Sequence, residues 1–169
     1  FGDDSPVTFH SVSVGSSYES VALKGIAAIG SGSIRAIGGD LLLAVVGGEG
    51  WGQQPVLDDP RVRRLGFVPD AELAALYRGA VAAVYPSRFE GFGMPIVEAM
   101  ACGTPVVASA HASLDEASGG IAFRADPDDP AVIAAAIEEA IAQGAQRVTG
   151  GLVHAARFTW RATGEAMLR

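Results

Sequence analysis

A chain of 169 residues, 49% hydrophobic and 18% charged, suits one globular domain and leaves little room for a second of comparable size. Its net charge of −7, with lysines and arginines scattered apart from Arg61, Arg63 and Arg64, argues against nucleic acid as a partner, since that affinity needs a basic patch. One cysteine excludes an internal disulfide framework and a multi-cysteine zinc site, and no apolar run approaches the roughly 20 residues of a membrane span.

In chain order, Val7–Val14 is expected to be a strand and Glu19–Ile29 a helix, followed by a Gly- and Ser-rich loop over 30–40. Leu41–Val46 is a second strand. Glycines crowd Gly47 to Gln54 with no helix behind them, so the third strand, Val62–Phe67, arrives within about fifteen residues, short for a crossover. A helix is expected at Asp70–Arg78, opened by Pro69-Asp70 with Glu72 in its first turn. Strands Val81–Tyr85 and Pro105–Ser109 flank a helix at Pro95–Ala101, which Gly103 and Pro105 terminate. Then follow a short helix at Leu114–Ala117, a strand at Ile121–Phe123, and helices at Asp129–Gln143, Ala145–Arg157 and Arg161–Leu168. Several strands are apolar on nearly every residue, as when helices cover both faces of a parallel sheet. The alternation predicts an α/β fold: one Rossmann-like, doubly wound, mainly six-stranded parallel sheet flanked by helices, spanning 1–169 as a single domain.

Chemistry concentrates between Tyr85 and Glu98. A buried strand ends at Tyr85, a Gly-rich loop carries Glu90, and a helix starts at about Met94 or Pro95, with Glu98 expected in its first turn. Such a loop lies at the carboxyl edge of the sheet, where open α/β sheets bind ligands. The helix N-terminus offers backbone N–H groups and partial positive charge to phosphate oxygens, and Gly91 and Gly93 allow close approach. Glu90 and Glu98 are acceptors, suited to hydroxyls. A phosphate centre with hydroxyl-bearing groups on both sides is the natural complement, and a sugar nucleotide is one.

The string Pro86-Ser87-Arg88-Phe89-Glu90-Gly91-Phe92-Gly93-Met94-Pro95, continuing through Glu98 to Ser109, resembles the E-x7-E signature of retaining glycosyltransferases of the GT-B group known as glycosyltransferase family 4. Ala44–Gly47, Val62–Tyr77 and Phe158-Thr159-Trp160 are similar to further segments of that family, so the likeness covers 41–168 closely and 7–28 loosely. The resemblance implies the C-terminal, donor-binding half of a GT-B fold, with an N-terminal acceptor domain outside this chain; the start at Phe1 rather than Met agrees with a partial chain. It implies that Glu90 is the catalytic glutamate contacting the donor sugar and that Glu98 accepts hydrogen bonds from the nucleotide ribose. Amides of Phe92, Gly93 and Met94 would hold sugar and diphosphate, and Phe67 and Val68, with Gly66, would line the base pocket. The implied substrate is a UDP- or GDP-linked NDP-sugar whose hexosyl group, such as mannosyl or glucosyl, passes with retention to a glycan, lipid or small-molecule acceptor. No cofactor or bound metal is implied, because protein groups stabilise the leaving diphosphate. Such a half is expected to transfer little or nothing alone. The expected location is the cytoplasm, at the inner face of a membrane where the acceptor is a lipid.

One departure stands out. Where the family carries Gly-Arg-x4-Lys, Gly15 is followed by Ser16-Ser17-Tyr18-Glu19-Ser20, and the first lysine is Lys24. Lys24 is either the remaining cation of the diphosphate site or an ordinary surface lysine. The departure leaves open a non-catalytic nucleotide-sugar-binding or interaction module derived from such a transferase. A related epimerase or phosphorylase domain fits the string less closely. Arg88 has two readings, a phosphate ligand or a solvated loop side chain. Cys102 reads as a small filler, and His10, His111 and His154 have no spacing that suggests a metal. Asp126-Pro127-Asp128 reads as turn and capping chemistry ahead of a helix capped by Asp129. Gly47-Gly48-Glu49-Gly50 is not a dinucleotide fingerprint, although it ends a strand at the same edge.

Overall fold

The computed structural model describes residues 9–13, 42–47 and 62–168. Six strands form one sheet: β1 (Phe9–Ser13), β2 (Leu42–Val46), β3 (Val62–Gly66), β4 (Ala80–Tyr85), β5 (Val106–Ser109) and β6 (Phe123–Ala125). Their order is β3-β2-β1-β4-β5-β6, and every neighbouring pair is parallel. The strand order reverses direction between β1 and β4, which makes the crevice beyond their carboxyl ends the ligand position of a doubly wound sheet. The helices are α1 (Asp70–Gly79), α2 (Met94–Ala101), α3 (Asp115–Ser118), α4 (Pro130–Gln143), α5 (Val148–Ala155) and α6 (Trp160–Met167).

Both faces of the sheet are covered, which explains why the strands show so little alternation of polarity. On β4, Ala82 and Val84 pack with Leu43, Val45 and Val107 against Ile133 and Ile137 of α4. Ala83 and Tyr85 point the other way, packing with Val106 and Ala108 against Ile96 and Met100 of α2. Helix α4 buries Ile133, Ala136, Ile137 and Ala140, one stripe at helical spacing, and its first amides are capped by Asp129, whose Oδ1 accepts from Ala131 and Val132 at 2.9 and 3.3 Å. Truncating Ile133, which is 1% exposed, to Ala would cost about 2–5 kcal/mol.

Several boundaries shift by a residue, and the differences with a clear physical cause are these. The sixth strand is Phe123–Ala125 rather than 121–123. Gly119 and Gly120 have φ of 55° and 69°, and the amides of Ile121 and Ala122 bond back to the Ser118 carbonyl, so the chain is still turning there. The expected helix at 114–117 is a 3-10 turn, Ala112–Leu114, followed by α3. The expected helix at 145–157 is divided: Gly144–Gln146 is a second 3-10 turn, seated so tightly on Pro105 that an added Cβ would lie 2.5 Å from its ring, and α5 begins at Val148. The last helix starts one residue early, at Trp160, because Thr159 caps it by accepting from the Ala162 amide at 3.1 Å. Finally, β3 is not apolar throughout: Arg63, Arg64 and Leu65 are exposed, as an edge strand allows. The expected helix at 19–29, the loop at 30–40 and the glycine-rich stretch from Gly48 onward to Gln54 lie outside the described residues.

Candidate functional site

The site begins where β4 ends. Tyr85 is 4% exposed, and its phenol hydrogen-bonds to the side chain of Glu90, five residues on. Burial first, and the Glu90 carboxylate second, push this phenol above its usual range, with Tyr77 and Glu98 adding smaller repulsions. Tyr85 therefore remains a hydrogen-bond donor throughout the neutral range.

Between Tyr85 and α2 the loop is tied to β5 and to the turn beyond it. Ser109 donates its hydroxyl to the Ser87 carbonyl, Ser87 donates to the Phe89 carbonyl at 3.2 Å, and the Glu90 amide donates to Ser113 Oγ at 3.2 Å. Arg88 forms an ion pair with Asp128 in the β6–α4 turn, which favours the surface reading of this side chain. Asp126 accepts from the Asp128 amide at 2.9 Å, so the Asp-Pro-Asp stretch performs turn and capping duty.

The loop ends at Gly93, whose φ of 94° only glycine adopts without strain. A Cβ there would sit 2.6 Å from Leu114 Cδ2, so backbone packing demands glycine as well. Helix α2 starts at Met94, with Pro95 at its second position, where a missing N–H costs nothing. Glu98 is consequently the fifth helical residue, in the second turn rather than the first. Dipole complementation, which fades beyond the first turn, is thus a weak account of it. Ile96, Val97, Ala99 and Met100 are buried, whereas Met94 and Glu98 lie on the opposite, exposed stripe. Partial desolvation raises the Glu98 carboxyl above its ordinary value, and the neighbouring Asp70 carboxylate raises it further.

Asp70 opens α1, directly after the loop holding Phe67 and Val68, so its proximity to Glu98 brings the β3–α1 connection beside α2. Gly66 turns with φ of 64°, and its carbonyl accepts from the Gly47 amide at 2.9 Å. Phe67 is 83% exposed and, with Leu65, Val68, Glu72 and Leu76, lines an open groove of about 500 Å³. The structure therefore brings Glu90, Phe92, Gly93, Met94 and Glu98 together at the carboxyl edge, with Phe67 and Val68 on the adjoining connection. Lys24 and the Gly15 loop lie outside the described residues.

Two carboxylates and a helix start with its N–H groups can accept from hydroxyls and donate to an anion, one function at each position. Among the described residues, no three His, Cys, Asp or Glu side chains are grouped to hold a metal, and no helix is long and apolar enough to cross a membrane. His154 is structural: its Nε2 donates between the Glu116 and Ala117 carbonyls, 3.1 Å from each, closing the end of α3. Cys102 is half-buried at the C-terminus of α2, against the core on that face. The sequence did not single out Tyr85, Asp70 or Ser113. Only a polar aromatic closing an otherwise apolar strand signalled Tyr85.

This arrangement, a doubly wound parallel sheet with an acidic loop-and-helix edge, is that of a Rossmann-like half of a GT-B glycosyltransferase. Trehalose 6-phosphate synthase from Burkholderia multivorans superposes with a TM-score of 0.76 over 95% of this chain and 42% of its own, at 14% identity, a likeness of fold. The family described as Glycosyl transferases group 1 matches residues 20–143, and the chain belongs to that family. Among curated relatives, the O-antigen chain mannosyltransferase B of Escherichia coli is 45% identical over 102 residues, covering 59% of this chain and 27% of that protein. A D-inositol 3-phosphate glycosyltransferase of Catenulispora acidiphila is 40% identical over 142 residues, covering 75% and 33%. The chain thus spans about a third or less of these relatives' lengths.

Proposed function

We propose that this chain is the donor-binding, C-terminal half of a retaining glycosyltransferase of glycosyltransferase family 4, holding a UDP- or GDP-linked sugar. The observation that carries this is the placement of Glu90 and Glu98 on either side of the α2 start, both near the Tyr85 phenol at the sheet's switch point. Glu90 accepts from sugar hydroxyls close to the reacting carbon and Glu98 from the ribose. Amides around Phe92, Gly93 and Met94 receive the diphosphate, and the groove at Phe67 and Val68 receives the base. Lys24 supplies a cation to the leaving diphosphate, and no metal or cofactor is needed. Mannosyl is the favoured group, since the relative that is 45% identical is named a mannosyltransferase, with glucosyl the alternative. The acceptor, a glycan, lipid or small molecule, sits mainly on an N-terminal domain, as the partial coverage of the relatives suggests, and without it transfer is slow or absent. The work takes place in the cytoplasm, at the membrane's inner face for a lipid acceptor.

Calorimetry with GDP-mannose, UDP-glucose and an ADP-sugar tests this. Micromolar to millimolar binding of one of them supports the proposal, and binding of none by the folded chain would sink it. The absence of an arginine after Gly15 favours a second reading, a non-catalytic module that keeps the donor site. Adding the acceptor domain discriminates, because only an enzyme then releases nucleotide.

A further inference from the structure

The turn after β5 touches the Glu90 loop at both ends. His111 precedes the 3-10 turn Ala112–Leu114 and caps it by accepting the Ser113 amide proton on Nδ1 at 3.1 Å. With Nδ1 an acceptor, the neutral ring carries its proton on Nε2. The Ser113 hydroxyl lies 2.9 Å from the same Nδ1 and, with that nitrogen unprotonated, is a second donor sharing its one lone pair with the Ser113 amide, which leaves an oxygen lone pair for the Glu90 amide at 3.2 Å. The bonds run in one direction: Glu90 N–H to Ser113 Oγ, Ser113 O–H to His111 Nδ1. Phe89, the residue before Glu90, meets the His111 ring edge-on at 5.7 Å. Leu114, the residue after Ser113, closes on Gly93.

The turn is itself fastened from behind. Arg124 on β6 donates from Nη2 to the His111 carbonyl and from Nε to the Ser109 carbonyl, both at 2.8 Å, and pairs with Asp115 at 3.0 Å. The contacts to His111 and Asp115 tie the turn and the helix after it to β6, and the one to Ser109 joins β6 to the end of β5.

We propose that Ser113 and His111 are positioning residues for Glu90: the imidazole orients the serine hydroxyl, and the hydroxyl holds the backbone of Glu90 at the height its carboxylate needs. This rests on the donor-site assignment. An apolar turn would pack as well; a hydroxyl oriented by an imidazole sets one atom at one place, which matters for a group that must meet a reacting centre within a fraction of an ångström. Tyr85 fixes the carboxylate end of Glu90, and this pair fixes its backbone end.

The test uses the chain as it stands, with GDP-mannose and GDP as one titration pair and UDP-glucose and UDP as the other. Ser113→Ala and His111→Ala should weaken the sugar nucleotide about three- to tenfold and leave the free nucleotide within twofold. Ser113→Thr and His111→Asn, which keep the hydroxyl and a capping acceptor, should restore it. Amide hydrogen exchange read without ligand should show faster exchange at Glu90 in the two alanine variants and near-normal exchange in the other two. Equal weakening of nucleotide and sugar nucleotide, or unchanged exchange at Glu90, overturns the proposal. A Glu90→Gln control separates the layers. If it abolishes the preference for the sugar and Ser113→Ala does not, the positioning role is wrong. If Glu90→Gln changes nothing, or wild type binds neither pair, the donor-site assignment falls and takes this inference with it.

Discussion

Two connections at the carboxyl edge of the sheet are built to different standards. The β4–α2 loop is held by Tyr85, Ser87, Ser109 and Ser113, and it ends on a glycine whose neighbours leave no room for a methyl group. The β3–α1 connection follows an edge strand with three exposed residues and presents Phe67 almost wholly to solvent. The contrast divides the expected ligand. A reacting sugar and its diphosphate need fixed donors and acceptors, whereas a base needs only an apolar surface that can close over it. Rigidity is concentrated where chemistry would occur.

The sharpest way to break the rigid side is Gly93→Ala. Positive φ costs a non-glycine residue about 1–2 kcal/mol, and overpacking against Leu114 adds about 1–3 kcal/mol. Thermal unfolding should fall by roughly 5–15 °C, and GDP-mannose titration should show no binding. A variant of near wild-type stability would mean that the loop relaxes easily and that the comparison is overdrawn.

Tyr85→Phe probes the same side more gently. Without the phenol the half-buried Glu90 loses a donor, and sugar-nucleotide affinity should drop about five- to tenfold with free nucleotide unchanged. On the adaptable side, Phe67→Ala should weaken free nucleotide and sugar nucleotide together, by about two- to fivefold, without a change in thermal stability. A selective loss of sugar affinity from Phe67→Ala would exchange the roles of the two connections.

Glu98 gives a small effect on stability and the most particular one. Its folded-state pKa is raised, by desolvation and then by Asp70, so the folded chain binds that proton more tightly than the unfolded chain. The resulting stability is present at low pH and is lost as pH rises through the folded pKa. At pH 7 the ionised carboxylate is therefore a mild burden, and Glu98→Gln should raise the melting temperature by roughly 1–2 °C while weakening nucleotide binding. The stability gain should shrink as pH falls through the folded value and vanish below the ordinary glutamate value of about 4.3, where both states protonate Glu98. Nucleotide affinity of the wild type should decline over the same range. A lower melting temperature for Glu98→Gln at pH 7 would show that the carboxylate is stabilised, not burdened.

Much of this was legible in the sequence. The α/β alternation, the capping role of Asp129 and the loop-to-helix step at Gly93 rest on local chemistry, and the structure keeps all three. One boundary failed where tertiary contact decides it, since Gly144 seated on Pro105 divides a continuous apolar stretch, and another where a local turn does, since the Ser118 carbonyl takes the amides of Ile121 and Ala122 before a strand can start. The motif glutamates were visible because their spacing is local. Their supports were not: Ser113 lies 23 residues from Glu90, and Asp70 reaches Glu98 from another helix. Long-range partners of this kind leave no periodic trace.

The division of labour between the two glutamates is tested most directly by one set of titrations: wild type, Glu90→Gln and Glu98→Gln, each with GDP-mannose and GDP and with UDP-glucose and UDP. For the pair that wild type binds, Glu90→Gln should weaken the sugar nucleotide about tenfold or more and spare the nucleotide, while Glu98→Gln should weaken both by a similar factor. If the two variants weaken both ligands in parallel, or leave both unchanged, the glutamates do not divide the ligand and the account is wrong.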